Sequence, residues 1–243
     1  MKGVILAGGT GSRLYPLTRI TNKHLLPVGR YPMIYYAIAK LAGANVRDIL
    51  IVTGREHMGD VVNLLGSGHQ FDCEFTYRVQ DQAGGIAQAL GLAEKFAAGD
   101  SVVVVLGDNV FEDSLGPLIE DFSSGARVFL KEVPDPSRFG VPVICDGRIV
   151  AIEEKPAHPG SPYAVTGIYL YDNQVFEIVR SLKPSARGEL EITDVNNAYL
   201  ERGQLSYVFL NGWWTDAGTH VSYAQANQLA RDVRLGPEFE QKG

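Results

Sequence analysis

The sequence predicts an α/β fold: a mostly parallel mixed sheet with helices on both faces, plus a small antiparallel portion in its second half. Three observations predict it. Short apolar runs alternate with helix-length segments through the first half of the chain. Those runs are continuously apolar, as strands covered on both faces are. After residue 125 strand-like runs follow one another closely, and Asp146-Gly147 marks a two-residue hairpin between two of them. No repeat, low-complexity segment or Pro/Gly-rich linker interrupts the 243 residues, which read as one domain, 1–243.

The elements follow in order. "GVILA" (3–7), "DILIVT" (48–53), "CEFTYRV" (73–79) and "SVVVVL" (101–106) are β-branched or apolar runs of strand length. Between them "MIYYAIAKLAGA" (33–44), "EHMGDVVNLLG" (56–66) and "GIAQALGLAEKFAA" (85–98) have helical length and patterning. In the second half "ARVFLKEV" (126–133), "GVPVICD" (140–146), "GRIVAIEEK" (147–155) and "YAVTGIYLYD" (163–172) read as strands. Helices are expected around 173–181, 191–202 and 219–233.

Composition limits the function classes. The chain has 22 Lys and Arg against 28 Asp and Glu, a net charge of −6, which argues against a nucleic-acid polymer as partner. An anionic small molecule senses only local charge and stays possible. Two cysteines argue against a disulfide framework and for a reduced, cytoplasmic setting. The N-terminus is broken by glycines too soon for a signal peptide. No apolar run approaches the ~20 residues of a membrane span.

The stretch "LAGGTGSRLYPLT" suggests phosphate. Gly8, Gly9 and Gly11 let backbone N–H groups approach a ligand, and Arg13 and Lys23 add cations. It is not a Walker A loop, since no Gly-Lys-Ser/Thr occurs, and a dinucleotide fingerprint fails at Leu14. Ligands of open α/β sheets bind beyond the carboxyl ends of strands. Segments 8–13, 80–85 and 107–109 each follow a predicted strand. On these features alone, a glycine-rich turn with surface cations fits as well.

Taken with "NKHLLPV", "GDN" (107–109), "RFGVPV" (138–143), "EEKP" (153–156), "YAVTGIYLYD", "RGELEITDVNNAYLERGQL" (187–205) and "WTDAGTH" (214–220), the stretch resembles the sugar-1-phosphate nucleotidyltransferases, and within them the thymidylyltransferases. The resemblance covers essentially the whole chain. It implies a Rossmann-like sheet of the nucleotide-diphospho-sugar transferase type, with 1–125 mainly binding nucleotide and 126–243 mainly binding sugar phosphate. It also implies Mg²⁺-dependent transfer of a nucleotidyl group from dTTP to α-D-glucose 1-phosphate, giving dTDP-glucose and pyrophosphate. UTP or another nucleotide with a different hexose phosphate is the alternative within enzymes. A catalytically silent, nucleotide-sugar-binding regulatory subunit is the alternative outside them. Joint presence of Arg13, Lys23, Asp108, Lys155 and Asp216 argues against silence. A glycosyltransferase would more often show D-x-D, and "GDN" lacks the second aspartate.

By the same resemblance, Arg13 and Lys23 are the catalytic, phosphate-neutralising cations. Asp108 and Asp216 are the metal ligands, although on residue type alone each also suits a cap or turn. Leu6, Gly8, Gly9, Gly11, Leu106 and Asp108 fall to the nucleotide side. Gln80 corresponds to the base reader, its amide matching the shared edge of thymine and uracil, and Gly85 lets backbone approach the base. Glu154 is assigned to sugar hydroxyls, Lys155 and Arg187 to the sugar's phosphate, and Gly140, Thr166 and Gly167 to the same pocket. Without the resemblance, "EEK" reads equally as a solvated charge run. His24, His57, His69, His158 and His220 show no metal-ligand spacing and read as surface or packing residues.

Three departures stand out. The family's "KQLLPV" is "KHLLPV" here, so His24 replaces a glutamine beside the catalytic lysine. "DQAGG" stands where a proline-rich "PSPDG"-like segment is usual, which loosens the base-binding loop. The sequence also stops soon after "SYAQANQLARDV", whereas typical bacterial thymidylyltransferases continue. A homo-oligomer with altered packing, and feedback inhibition reduced or absent, are the expectations from that difference.

Overall fold

The computed structural model describes residues 1–240. Strand β1 (Lys2–Ala7) starts the chain; short strands β2 (Pro27–Val28) and β3 (Tyr31–Pro32) pair ahead of helix α1 (Met33–Gly43). Next come β4 (Asp48–Gly54), α2 (Met58–Leu65), β5 (Glu74–Gln80), α3 (Ile86–Gly91), α4 (Glu94–Ala97) and β6 (Val102–Leu106). Then follow β7 (Asn109–Phe111), α5 (Gly116–Ile119), β8 (Ala126–Glu132), β9 (Gly140–Cys145), β10 (Arg148–Glu154) and β11 (Tyr163–Tyr171). The described chain ends with α6 (Val175–Ser181), α7 (Ile192–Glu201), β12 (Leu205–Phe209), β13 (Trp214–Asp216) and α8 (His220–Leu229).

One nine-stranded sheet organises the molecule, in the order β10-β9-β11-β6-β1-β4-β5, with β8 also on β11 and β12 on β8. The four strands β6, β1, β4 and β5 are parallel; β6, β1 and β4 are continuously apolar as doubly covered strands are, whereas β5, at the sheet edge, alternates buried with more exposed residues. Strand β11 runs antiparallel to both β6 and β8, and the β9–β10 hairpin extends it. The sheet is therefore mixed, and each of its antiparallel ladders includes at least one strand of the second half. Asp146 and Gly147 both take positive φ (50° and 72°), the two-residue turn that matches strand twist.

Two cores cover the two faces. Ile5, Val103 and Val105 face α1, while Val4, Val102 and Val104 face α3, α6 and α7. Neighbouring residues of one strand thus enter opposite cores, which is why no polar residue alternates in. Each such valine or isoleucine contributes about 1.5–3 kcal/mol by burial.

The helix expected over 85–98 is two helices: at Leu92 and Ala93 the bonds tighten to i−3 acceptors, Ala89 and Leu90. Strands β2, β3, β7, β12 and β13 and helix α5 have no counterpart among the sequence expectations. Among the described residues no helix is long and apolar enough to cross a membrane. The four parallel strands end together at Ala7, Gly54, Gln80 and Leu106, so the loops after β1, β5 and β6 meet at one sheet edge.

Candidate functional site

A cavity of about 530 Å³ opens at that edge. Leu6, Gly8, Gly9, Arg13, Lys23, Gln80, Gly85, Leu106 and Asp108 line it from the first half. Gly140, Glu154, Lys155, Gly167, Arg187 and Asp216 line it from the second. Two expected residues stand apart. Gly11 lies outside the lining, where its positive φ (62°) and missing side chain admit Thr18 and Lys23. Thr166, within β11, is fully buried, and its hydroxyl has no partner.

Lys23 and Asp108 are joined directly, Nζ to Oδ2 at 2.5 Å. Burial alone would push the Asp108 carboxyl up; the Lys23 ammonium overrides it and holds the group well below the usual carboxylate range. The side chain of Asn109 donates to the other Asp108 oxygen at 3.0 Å. Asn109 is itself fixed, because its Oδ1 accepts from the Gly167 N–H at 2.8 Å and from the Trp214 indole at 2.7 Å. A Cβ on Gly167 would stand 2.6 Å from Asn109, so the glycine makes room for the residue that orients Asp108.

Asp216 reaches the same place from β13, which pairs with β7 so that Asp216 lies opposite Asn109. Burial, and then the charge of Asp108, push its carboxyl above the ordinary value. Arg138 opposes that shift, donating to both Asp216 oxygens at 3.0 and 3.1 Å. Asp216 Oδ2, Arg13 Nη2 and Asp108 Oδ2 stand 3.1, 3.2 and 3.4 Å from the point where a Gly218 side chain would begin.

Gln80, buried at the end of β5, donates to Gln88 at 2.8 Å and to the Gly85 carbonyl at 3.3 Å. Its Oε1 overlies Gly8, 2.5 Å from where a Cβ would be. Gly85 has φ 101°, and a side chain there would meet the Leu190 carbonyl at 2.3 Å. The glycine thereby lets the 81–85 loop dock on the segment that carries Arg187, besides lining the cavity.

At the opposite wall Glu154 accepts from Thr193 at 2.6 Å and pairs with Lys155 at 3.4 Å and Arg187 at 3.3 Å. Lys155 has a left-handed φ of 46°, a strained conformation of the kind held at functional positions. Arg187 is gripped by Glu191 through both carboxylate oxygens, at 2.8 and 2.9 Å, and touches Glu189 at 3.2 Å.

His24 is a buried member of the cavity wall. Burial, and then the neighbouring Lys23, push its imidazole down to about 3, so it is neutral at pH 7. Asn109, Arg138, Glu191, Thr193 and Trp214 also line the cavity and were not among the expected site residues. Every one lies inside a motif whose other members were singled out, and that motif membership was the signal available.

A family model described as nucleotidyl transferase matches residues 2–233. A glucose-1-phosphate thymidylyltransferase of Neisseria meningitidis is 47% identical over 241 residues, 96% of this chain and 84% of that protein. One from Actinoplanes is 44% identical, with 97% and 82% covered. A crystal structure of a Bacillus anthracis protein, provisionally named glucose-1-phosphate thymidylyltransferase and bound to a sucrose, superposes with a TM-score of 0.96 at 63% identity over 99% of both chains. A UDP-glucose pyrophosphorylase in complex with UDP-glucose gives a TM-score of 0.80 at 26% identity, covering 93% of this chain and 97% of that one. A loop that fails both common phosphate fingerprints thus has a family of its own, and the chain belongs to it: the nucleotidyl transferases.

Proposed function

We propose that the chain transfers the thymidylyl group of dTTP to α-D-glucose 1-phosphate. One observation carries this reading: Arg13, Asp108 and Asp216 converge within 3.4 Å of a single point that only a glycine leaves open, and Lys23 holds Asp108 beside it. In the reaction an oxygen of the sugar phosphate attacks the α-phosphorus of the nucleotide. The bond to the bridging oxygen of the β-phosphate breaks, and pyrophosphate leaves with the electron pair. No covalent enzyme intermediate is required, so positioning and charge neutralisation dominate. Arg13 faces the departing pyrophosphate and Lys23 the α-phosphate. Lys155 and Arg187 take the sugar phosphate, and Glu154 the sugar hydroxyls.

Two hard oxygen donors, Asp108 and Asp216, suit Mg²⁺, which takes one or two carboxylates and fills its other positions with water and substrate phosphate. Burial, and then the Asp108 charge, lift the Asp216 carboxyl, and a cation between the two carboxylates would oppose that shift. When bound, the metal would neutralise phosphate charge. The cavity lining supports that need. Its five carboxylates (Asp108, Glu154, Glu189, Glu191, Asp216) equal its five cations (Arg13, Lys23, Arg138, Lys155, Arg187), leaving no positive surplus for two anions.

In this reading Gln80, whose amide N–H groups are held by Gln88 and the Gly85 carbonyl, accepts through Oε1 the N3–H that thymine and uracil share. The names of the thymidylyltransferase relatives support dTTP. A second reading, UTP, has the support of the UDP-glucose complex on the same fold. Pyrophosphate release from glucose 1-phosphate and Mg²⁺ with dTTP, UTP, CTP, ATP or GTP separates the two. Fastest release with dTTP upholds the first reading, preference for UTP replaces it with the second, and no release with any nucleotide sinks both for this sugar.

A further inference from the structure

His24 shares the turn of Lys23 but points elsewhere. Its backbone N–H and its ring Nδ1 both bond the same atom, Asn22 Oδ1, at 2.9 and 2.6 Å. The Asn22 amide in turn donates to the carbonyl of Ala7 at 3.3 Å, the last residue of β1. Both side chains are buried, with His24 only 1% exposed. On its other side the ring lies against Gly107: a Cβ built there would stand 2.7 Å from His24 Cδ2. Gly107 is tied to β1 by its own N–H, which bonds the Leu6 carbonyl at 3.0 Å, and it immediately precedes Asp108. The imidazole therefore fills the space between the turn that carries the lysine and the turn that carries the carboxylate.

An apolar side chain could fill such a space without desolvating a polar ring. Burying imidazole is unfavourable unless its N–H is bonded, and Asn22 satisfies it in one orientation only. That bond fixes the ring plane and, through it, the distance between two backbone segments. We propose that His24 is a positioning residue for Lys23 and Asp108, holding their turns in register through its Nδ1–H bond to Asn22 and its ring contact with Gly107. The inference deepens the functional reading above and rests on it wherever turnover is measured.

Wild type, His24→Met and His24→Gln test it. Methionine keeps the bulk and loses the donor; glutamine keeps both bulk and an amide N–H. In His24→Met, kcat should fall roughly 10- to 100-fold while KM for each substrate stays within about threefold, the pattern of a misplaced reacting group. His24→Gln should recover most of the loss. Amide exchange of segments 22–26 and 106–109 should quicken in His24→Met and return to wild-type rates in His24→Gln. Unchanged kcat in His24→Met, or His24→Gln no better than His24→Met, would overturn the proposal. If wild type releases no pyrophosphate with any nucleotide, the functional reading fails. Amide exchange then decides alone: equal exchange in wild type and His24→Met overturns the positioning role, and quickened exchange upholds it. Should His24→Met lack the wild-type circular dichroism, His24→Ala takes its place with the same expectations.

Discussion

Replacing Lys23 with methionine probes the charge balance of the site directly. Methionine keeps most of the stem and removes the ammonium, so Asp108, 9% exposed, loses its partner at 2.5 Å. Removing one member of a buried ion pair costs about 3–5 kcal/mol. One contact remains to soften the loss: Asn109 still donates at 3.0 Å. The lower end, about 3 kcal/mol, therefore applies. At roughly 2–4 °C per kcal/mol for a chain of this size, the variant should melt about 6–12 °C below wild type at pH 7. The pH dependence has a sign as well. In wild type the folded-state pKa of Asp108 is depressed, so its stabilisation is present above the unfolded value and lost only as pH falls through the folded value. It adds no slope between about pH 5 and 8. In the variant burial prevails and the pKa rises above the unfolded value. Its destabilisation is then present at high pH and relieved by protonation, so the deficit in Tm should narrow from about pH 8 towards pH 5. Calorimetry without nucleotide, in a chelator, reads both effects. A deficit below about 2 °C at pH 7, or one that widens towards pH 5, would refute the reasoning.

Arg13 is exposed and its deletion leaves no buried charge, so Arg13→Ala should lower pyrophosphate release roughly 10²–10³-fold with Tm almost unchanged. Gly167→Ala drives a methyl into Asn109 at 2.6 Å; denaturant unfolding should show a loss of about 1–3 kcal/mol, with turnover reduced alongside. Gly85→Ala combines an incompatible φ with a clash on the Leu190 carbonyl. It should destabilise by more than about 1 kcal/mol and raise KM for nucleotide and sugar phosphate together, since that contact joins their two loops.

The fold was legible where local pattern and tertiary role coincide. Val102 to Val105 alternate between two cores, so each must be apolar and the run declares a doubly covered strand. Asp146-Gly147 declared its hairpin because only positive φ at both positions matches the strands. By contrast, β12 lies at the sheet edge, where Ser206 and Phe209 are both exposed, and "LSYVF" carries no clean alternation. The motifs brought most expected site residues to one cavity, yet said little of what those residues touch. Arg138 meets Asp216 across 78 positions, a pairing no local pattern reveals. Arg187, expected to face a phosphate, is held by carboxylates on three sides. His24, grouped by spacing with surface or packing histidines, gains its meaning from Asn22 and from Gly107, far along the chain.

These pairings bear on how the proposed reaction begins. Within the cavity Lys23 is bonded to Asp108, Arg138 to Asp216, Lys155 to Glu154, and Arg187 to Glu154, Glu189 and Glu191. Among the described residues, Arg13 alone of the five cations has no ion pair. In the proposed reaction an incoming triphosphate would meet Arg13 without displacing any protein carboxylate, whereas a sugar phosphate would compete with three to reach Arg187. Lys23 and Arg138 become available to phosphate oxygens only when Asp108 and Asp216 have another cation to serve. Away from Arg13, a site balanced in this way resists adventitious anions, because each would have to break an internal pair. It yields only to ligands that replace several pairs at once, which is what a metal-bound nucleotide followed by a phosphorylated sugar would do.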